Sequence, residues 1–144
     1  HLNSYRRFFL GGFAPCAPDW GIDNRNAGIR LPEINGSSAR LEHRICGADV
    51  NPYLAFAAIL AGVLHGIEAQ EEPPLPLEDK NALPAVPLTT NWALSVENFA
   101  TSDLAAKVFG KSYRDIYTIL RRDEIAQLTA EISPIEYKTY LSRL

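Results

Sequence analysis

The chain has 144 residues, 47% of them hydrophobic and 10% aromatic, with a formal net charge of −3. That length and apolar content predict one domain with a substantial core. The mildly acidic balance argues against a general nucleic-acid binder, whose surface is strongly basic. Cys16 and Cys46 are too few for a disulfide framework and read as reduced thiols of a cytoplasmic protein. The most apolar run, Tyr53 to Leu64, is about a dozen residues, too short for a bilayer, so no membrane partner is expected. A start at His1 and the absence of methionine suggest a piece of a larger product.

The first fifty residues are rich in Gly, Pro and Asn, with short apolar runs between them. Phe8-Phe9-Leu10 leads into a mobile turn at Gly11-Gly12. Ala27 to Leu31 predicts a short strand ending at Pro32. Asn35-Gly36 is a turn signal that joins it, as an antiparallel pair, to a strand over 38–46. In that second strand Leu41 and Ile45 point one way, and Arg40, Glu42 and Arg44 the other. Asn51 as N-cap and Pro52 at the first helical position open a helix over about 51–68. Its apolar residues fall on nearly every side, which predicts burial all round. The proline-rich segment 69–88 reads as a long surface connection.

The remainder, 89–144, reads as helical. One segment starts at Thr89 or Thr90 and runs through about Ala100. A short helix is capped by Ser102 and ends at Gly110. The longest runs from Ser112 to about Glu131, with Tyr113, Ile116, Leu120 and Leu128 on one face. Ser133-Pro134-Ile135-Glu136 is a capping box before a last helix ending near Leu144. The fold class is therefore α+β: short antiparallel strands, then a helical C-terminal half.

Six arginines precede the first lysine, Lys80. Arg40, Glu42 and Arg44 present cation, anion and cation on one strand face. Two guanidinium groups suit phosphate or carboxylate, and the carboxylate between them suits a divalent cation. The same pattern also makes a cross-strand salt-bridge ladder on a solvated face. Arg7, Arg25 and Arg30 lie upstream of, or within, the same strand pair. His43 and His65 read as packed histidines. Tyr113, Tyr117, Tyr137 and Tyr140, at helical spacing, read as core or interface packing. There is no glycine-rich phosphate loop, paired-cysteine zinc pattern or nucleophile elbow.

Four motifs together, NSYRR at 3–7, NRNAGIRLP at 24–32, RLEHR at 40–44 and NPYLAFAAILAG at 51–62, resemble the C-terminal part of the catalytic domain of the glutamine synthetase family. LPAVPLTTNWAL looks like that family's loop into its terminal helices. LEHRICGADVNPYL and ISPIEYKTYL are similar to the branch that joins glutamate to amines such as putrescine. The resemblance implies an ATP-dependent ligase that makes γ-glutamyl phosphate for attack by ammonia or a small amine. It implies Mg²⁺ or Mn²⁺, and a large homo-oligomer with active sites completed across subunit boundaries.

Carried over by position, Arg7 and Arg44 would bind glutamate, with Arg7 close to its γ-carboxyl group. Arg25 and Arg30 would hold the ATP phosphates, with Arg25 beside the transferring group. Arg40 would face the nucleotide and Glu42 would ligate a metal ion. Two positions depart from the family. Phe13 stands in the flap where many members have a glutamate that deprotonates ammonium, and Ser37 where many have a lysine near the nucleotide. The other metal ligands of the family have no counterpart here, so the chain alone is expected to be inactive. A non-catalytic scaffold or binding relative is the alternative.

Overall fold

The computed structural model describes residues 1–9 and 11–141 and comprises two units, His1–Trp92 and Ala93–Leu144. The first is built on a three-stranded sheet of order β1-β2-β3, with β1 at Trp20–Ile22, β2 at Ile29–Glu33 and β3 at Arg40–His43. β2 and β3 form the antiparallel pair expected from Asn35-Gly36, joined through a 3₁₀ turn at Gly36–Ser38. Gly36 has φ +70, a left-handed conformation that glycine adopts without penalty.

Two features of the sheet differ from the sequence reading. β2 runs through Pro32, and its register against β3 shifts by one residue between Arg30 and Glu33. The shift is a bulge, a place where a residue without an N–H is tolerated in a strand. The strands are also not all antiparallel, because β1 pairs parallel to β2, Trp20 opposite Ile29. Parallel neighbours usually need a long crossover. Here β1 has only three residues, so the loop 23–28 spans its length and returns. The loop turns at Asp23, φ 47, and closes with Ile29 N–H donating to Asp19 O at 2.9 Å.

A short helix absent from the sequence reading, α1 (Leu2–Arg6), carries the NSYRR segment. It is held by Ser4 Oγ donating to Asp49 Oδ1 at 2.6 Å. Gly47 permits that approach, since a Cβ there would lie 2.3 Å from Ser4 Oγ.

α2 (Pro52–Ala69) begins as expected. Asn51 Oδ1 accepts from Tyr53 N at 3.0 Å and Leu54 N at 3.3 Å, with Pro52 in the first turn. It ends at Gln70, φ 52, whose left-handed backbone lets the following amides cap the last carbonyls. The predicted burial does not hold. None of its residues is buried, and Tyr53, Phe56, Leu60 and Ile67 are 85%, 65%, 65% and 69% exposed. All-round apolarity creates a demand for cover, but the described residues lay no element along most of this helix. His65 follows suit. Its side chain is 47% exposed, with Nε2 3.9 Å from Glu71 Oε1, and it is not a packed histidine.

At 18 residues and a mean hydropathy of 1.4, α2 is long and apolar enough to cross a membrane by length and composition alone. The dozen-residue estimate from sequence was too short. The substantial core is also missing: the buried hydrophobic residues among those described are Ala27, Trp92, Val96 and Ala105.

The segment after α2 is not a free surface connection. Leu77 N–H donates to Trp20 O at 3.0 Å, Trp20 Nε1 donates to Pro74 O at 2.6 Å, and Leu88 N–H donates to Cys16 O at 2.8 Å. It covers the outer edge of β1, which would otherwise leave unpaired backbone groups.

α3 (Trp92–Thr101) starts at the end of the first unit and leads into the second, with α4 (Asp103–Phe109), α5 (Lys111–Ala130) and α6 (Pro134–Leu141). Ser102 caps α4, its Oγ accepting from Ala105 N at 3.1 Å, and Gly110 at φ +84 ends it. The rings of Phe99, Phe109, Tyr113 and Tyr117 pack together, with Phe99 and Tyr117 centroids 5.3 Å apart. Glu97 accepts a two-bond grip from Arg122, at 2.8 and 2.6 Å.

The inward face of α5 is therefore Arg114, Tyr117, Thr118, Arg121 and Ile125, with Thr118 only 3% exposed. Of the face predicted from apolar spacing, Tyr113 joins the ring cluster, whereas Ile116, Leu120 and Leu128 are 59%, 53% and 50% exposed. The ring cluster and the Arg122–Glu97 pair orient the helix, and they outweigh its aliphatic stripe. The capping box of α6 forms as read, Ser133 N donating to Glu136 Oε1 at 2.9 Å and Glu136 N to Ser133 Oγ at 3.3 Å. Tyr137 and Tyr140 on α6 are 55% and 62% exposed rather than packed among the described residues. The expected end near Leu144 lies outside the described residues, as does Leu10.

Candidate active site

Four of the six arginines fall into two sets. The first lines a cleft of about 300 Å³ formed by Arg7, Phe9, Phe13, Ala14, Pro15 and Arg44. Arg7 is the C-cap of α1. Its Nη1 donates to Ile45 O at 3.2 Å, and its Cζ lies 6.0 Å from the Phe8 ring centroid. Arg44 follows directly on β3. Its backbone N–H donates to Gly28 O at 2.9 Å, and Nη1 approaches Ala27 O at 3.5 Å. Among the described residues neither guanidinium has an acidic partner, so each keeps donors for an anion in the cleft. Phe13 stands at the rim with its side chain 99% exposed.

The second set is an ion-pair network on the sheet. Arg30 and Glu42 lie directly opposite in the β2–β3 register, and Arg30 Nη1 donates to Glu42 Oε2 at 3.0 Å. Arg40 Nη2 is 3.7 Å from Glu42 Oε1, one period along the same strand face. Arg30 Nη2 also donates to Asp23 Oδ1. The hydrogen bond from Arg30, with its charge, holds the Asp23 carboxyl below its usual range, and Asp23 in turn raises the Arg30 pKa. Arg30 Nε is buried without a hydrogen-bond partner. The salt-bridge ladder foreseen from the alternating pattern is thus formed by Arg30, Arg40 and Glu42. Arg44 leaves it, because β3 ends at His43 and the chain turns toward the cleft.

Arg25 belongs to neither set and lies exposed in the turn between β1 and β2, where its charge also lowers the Asp23 pKa. Ser37 is exposed in the 3₁₀ turn. His43 is half-buried with Nδ1 unpartnered, and burial lowers its pKa. Burial raises the Cys46 thiol while the Arg7 charge pulls the other way, which keeps it a thiol at neutral pH.

A divalent ion of the Mg²⁺ class takes about six oxygen ligands. Both Glu42 oxygens face guanidinium groups, and no group of three His, Cys, Asp or Glu that could hold a metal occurs among the described residues. These residues do not by themselves fit a resident metal.

Sequence reading had missed Asp23, and also Glu78, whose carboxylate receives Asn24 Nδ2 at 2.7 Å and Ile22 N at 3.2 Å. Asp23 sits beside the NRNAGIRLP motif, and its turn position was the available signal. Glu78 lies in an aperiodic proline-rich segment that offers none.

A family model described as glutamine synthetase, catalytic domain, matches residues 1–140. A gamma-glutamylethanolamide synthetase of Streptomyces coelicolor is 40% identical over all of this chain and 31% of its own length. A gamma-glutamylputrescine synthetase of Escherichia coli is 33% identical over 98% of this chain and 30% of its own length. The solved structure of apo GmaS without ligand superposes with a TM-score of 0.78 at 28% identity, over 97% of this chain and 32% of that one. The chain spans about a third of the length of the curated relatives it matches. It belongs to the glutamine synthetase family and resembles the gamma-glutamylpolyamine synthetase branch.

Proposed function

We propose that this chain supplies the anion-gripping part of an ATP-dependent ligase that joins the γ-carboxylate of glutamate to ammonia or a small amine. The observation that carries this reading is the cleft in which Arg7 and Arg44, far apart in sequence, meet beside Phe13. Glutamate brings two carboxylates to such a site, and two guanidinium groups with donors to spare match them. Arg25, Arg30 and Arg40 would meet the nucleotide phosphates.

A carboxylate is a poor electrophile, so it is first activated. A γ-carboxylate oxygen forms a bond to the terminal phosphorus of ATP, the bridging P–O bond breaks, and ADP leaves. The amine nitrogen then attacks the acyl carbon, phosphate leaves, and the nitrogen gives up a proton. Arginines act here by neutralising spread negative charge. Glu42 would give one carboxylate to Mg²⁺ or Mn²⁺ once released from Arg30 and Arg40, with the other ligands coming from outside the described residues. Phe13 cannot accept a proton. Its exposed ring can pack on methylenes or attract a cation, which favours an amine larger than ammonia. We place the parent protein in the cytoplasm as a large homo-oligomer with sites completed at subunit boundaries.

The test is phosphate release by the full-length protein carrying this chain, with ATP, glutamate and a panel of amines. Arg44→Ala is expected to raise the KM for glutamate about 10- to 150-fold, the equivalent of about 1.5–3 kcal/mol for bonds to a charged group. No phosphate release with any amine, or an unchanged KM for glutamate in Arg44→Ala, would refute the reading. Sustained turnover by the 144-residue chain alone would refute the division of ligands.

A further inference from the structure

The geometry points to Glu78 as a positioning residue that orients the turn bearing Arg25, without touching any ligand. This rests on the phosphate-binding role proposed for Arg25. Glu78 Oε1 accepts from Asn24 Nδ2 at 2.7 Å, and Oε2 accepts from Ile22 N at 3.2 Å. Asn24 is the pivot of the turn. Its Oδ1 accepts from Asn26 N at 2.9 Å, and its carbonyl accepts from Ala27 N at 3.4 Å. Arg25 lies between these anchored residues. Between Ile22 and Asn24, Asp23 is tied to Arg30. The limb of the turn that leads into Arg25 is therefore held twice, by the sheet network through Asp23 and by the proline-rich segment through Glu78.

The backbone is shaped for the second hold. Gly21 has no side chain, and a Cβ there would lie 2.5 Å from Glu78 Oε1 and 2.9 Å from Asn24 Cβ. Glu78 is delivered by its own tight turn, with Asp79 N donating to Pro76 O at 2.9 Å and Asn81 N to Asp79 Oδ1 at 2.8 Å. The bond from Leu77 N to Trp20 O, at 3.0 Å, fixes the segment one residue before it. The hydrogen bond from Asn24 also keeps the Glu78 carboxyl ionised below its usual range, so the hold persists at neutral pH. Three prolines at 73, 74 and 76 stiffen the approach, so the segment acts as a brace.

The experiment uses the full-length protein with Glu78→Ala, Glu78→Gln, Gly21→Ala and Arg25→Ala. Backbone amide exchange at Asn26 and Ala27 reads the turn, and the KM for ATP and for glutamate reads the site. Glu78→Ala is expected to speed that exchange at least about 10-fold and to raise the KM for ATP about 10-fold, with the KM for glutamate unchanged. Glu78→Gln keeps an acceptor for Asn24 and restores most of both. Gly21→Ala reproduces Glu78→Ala, and the double variant adds little to either. Unchanged exchange in Glu78→Ala overturns the brace. Faster exchange with an unchanged KM for ATP, while Arg25→Ala does raise it, overturns the positioning role alone. An unchanged KM for ATP in Arg25→Ala overturns the role of Arg25, and with it the positioning role.

Discussion

Gly28→Ala tests how the sheet junction holds Arg44 in the cleft. Gly28 is buried, and an added Cβ would lie 2.3 Å from Ala17 O and 3.1 Å from Ile45 Cδ1. Ordinary contact begins near 3.4 Å, so the backbone must give by about 1 Å. Three hydrogen bonds meet at this point: Gly28 N to Asp19 Oδ1 at 2.7 Å, Ile29 N to Asp19 O at 2.9 Å, and Arg44 N to Gly28 O at 2.9 Å. Overpacking costs about 1–3 kcal/mol, and one weakened hydrogen bond adds about 1 kcal/mol. The expected loss is therefore about 2–4 kcal/mol, a large share of the stability of a small unit.

Urea unfolding followed by tryptophan fluorescence reads it, since Trp20 on β1 pairs with Ile29. The midpoint should fall with the slope unchanged. Because Arg44 hangs from the Gly28 carbonyl, the KM for glutamate should rise in the same variant. A loss below about 0.5 kcal/mol, within the range of an ordinary surface substitution, would refute the claim that this contact is rigid.

Two further outcomes follow from local chemistry. Burial lowers the His43 pKa from 6.5, so the fold binds fewer protons than the unfolded chain. The His43 contribution should be complete above about pH 6.5 and decline as pH falls through its depressed folded value, and His43→Gln should flatten the stability–pH curve in that window without altering it above. Ser102→Ala removes the acceptor for Ala105 N and should destabilise the second unit by about 1 kcal/mol, with Ser102→Asp restoring it, as read by thermal melting.

What could be read from the sequence was what depends on a few neighbouring residues. Asn51-Pro52, Ser102 and the Ser133–Glu136 box each cap a helix because donor and acceptor lie within four positions. The β2–β3 pair was legible because Asn35-Gly36 turns the chain locally, and that pairing places Arg30 opposite Glu42. The arginine motifs were legible as a set, because side chains that grip anions leave a recognisable composition.

Only the tertiary structure decided the rest. It divided the arginines between a cleft and an ion-pair network, because β3 stops at His43, one residue before Arg44. It made β1 parallel to β2 and carried β2 through Pro32 on a bulge. It left α2 and the aliphatic stripe of α5 exposed, since periodicity states which face wants cover and not whether cover is present. It also brought Glu78 onto Asn24 across more than fifty residues, a contact with no local signature because hydrogen bonding over that distance depends on where the folded chain returns.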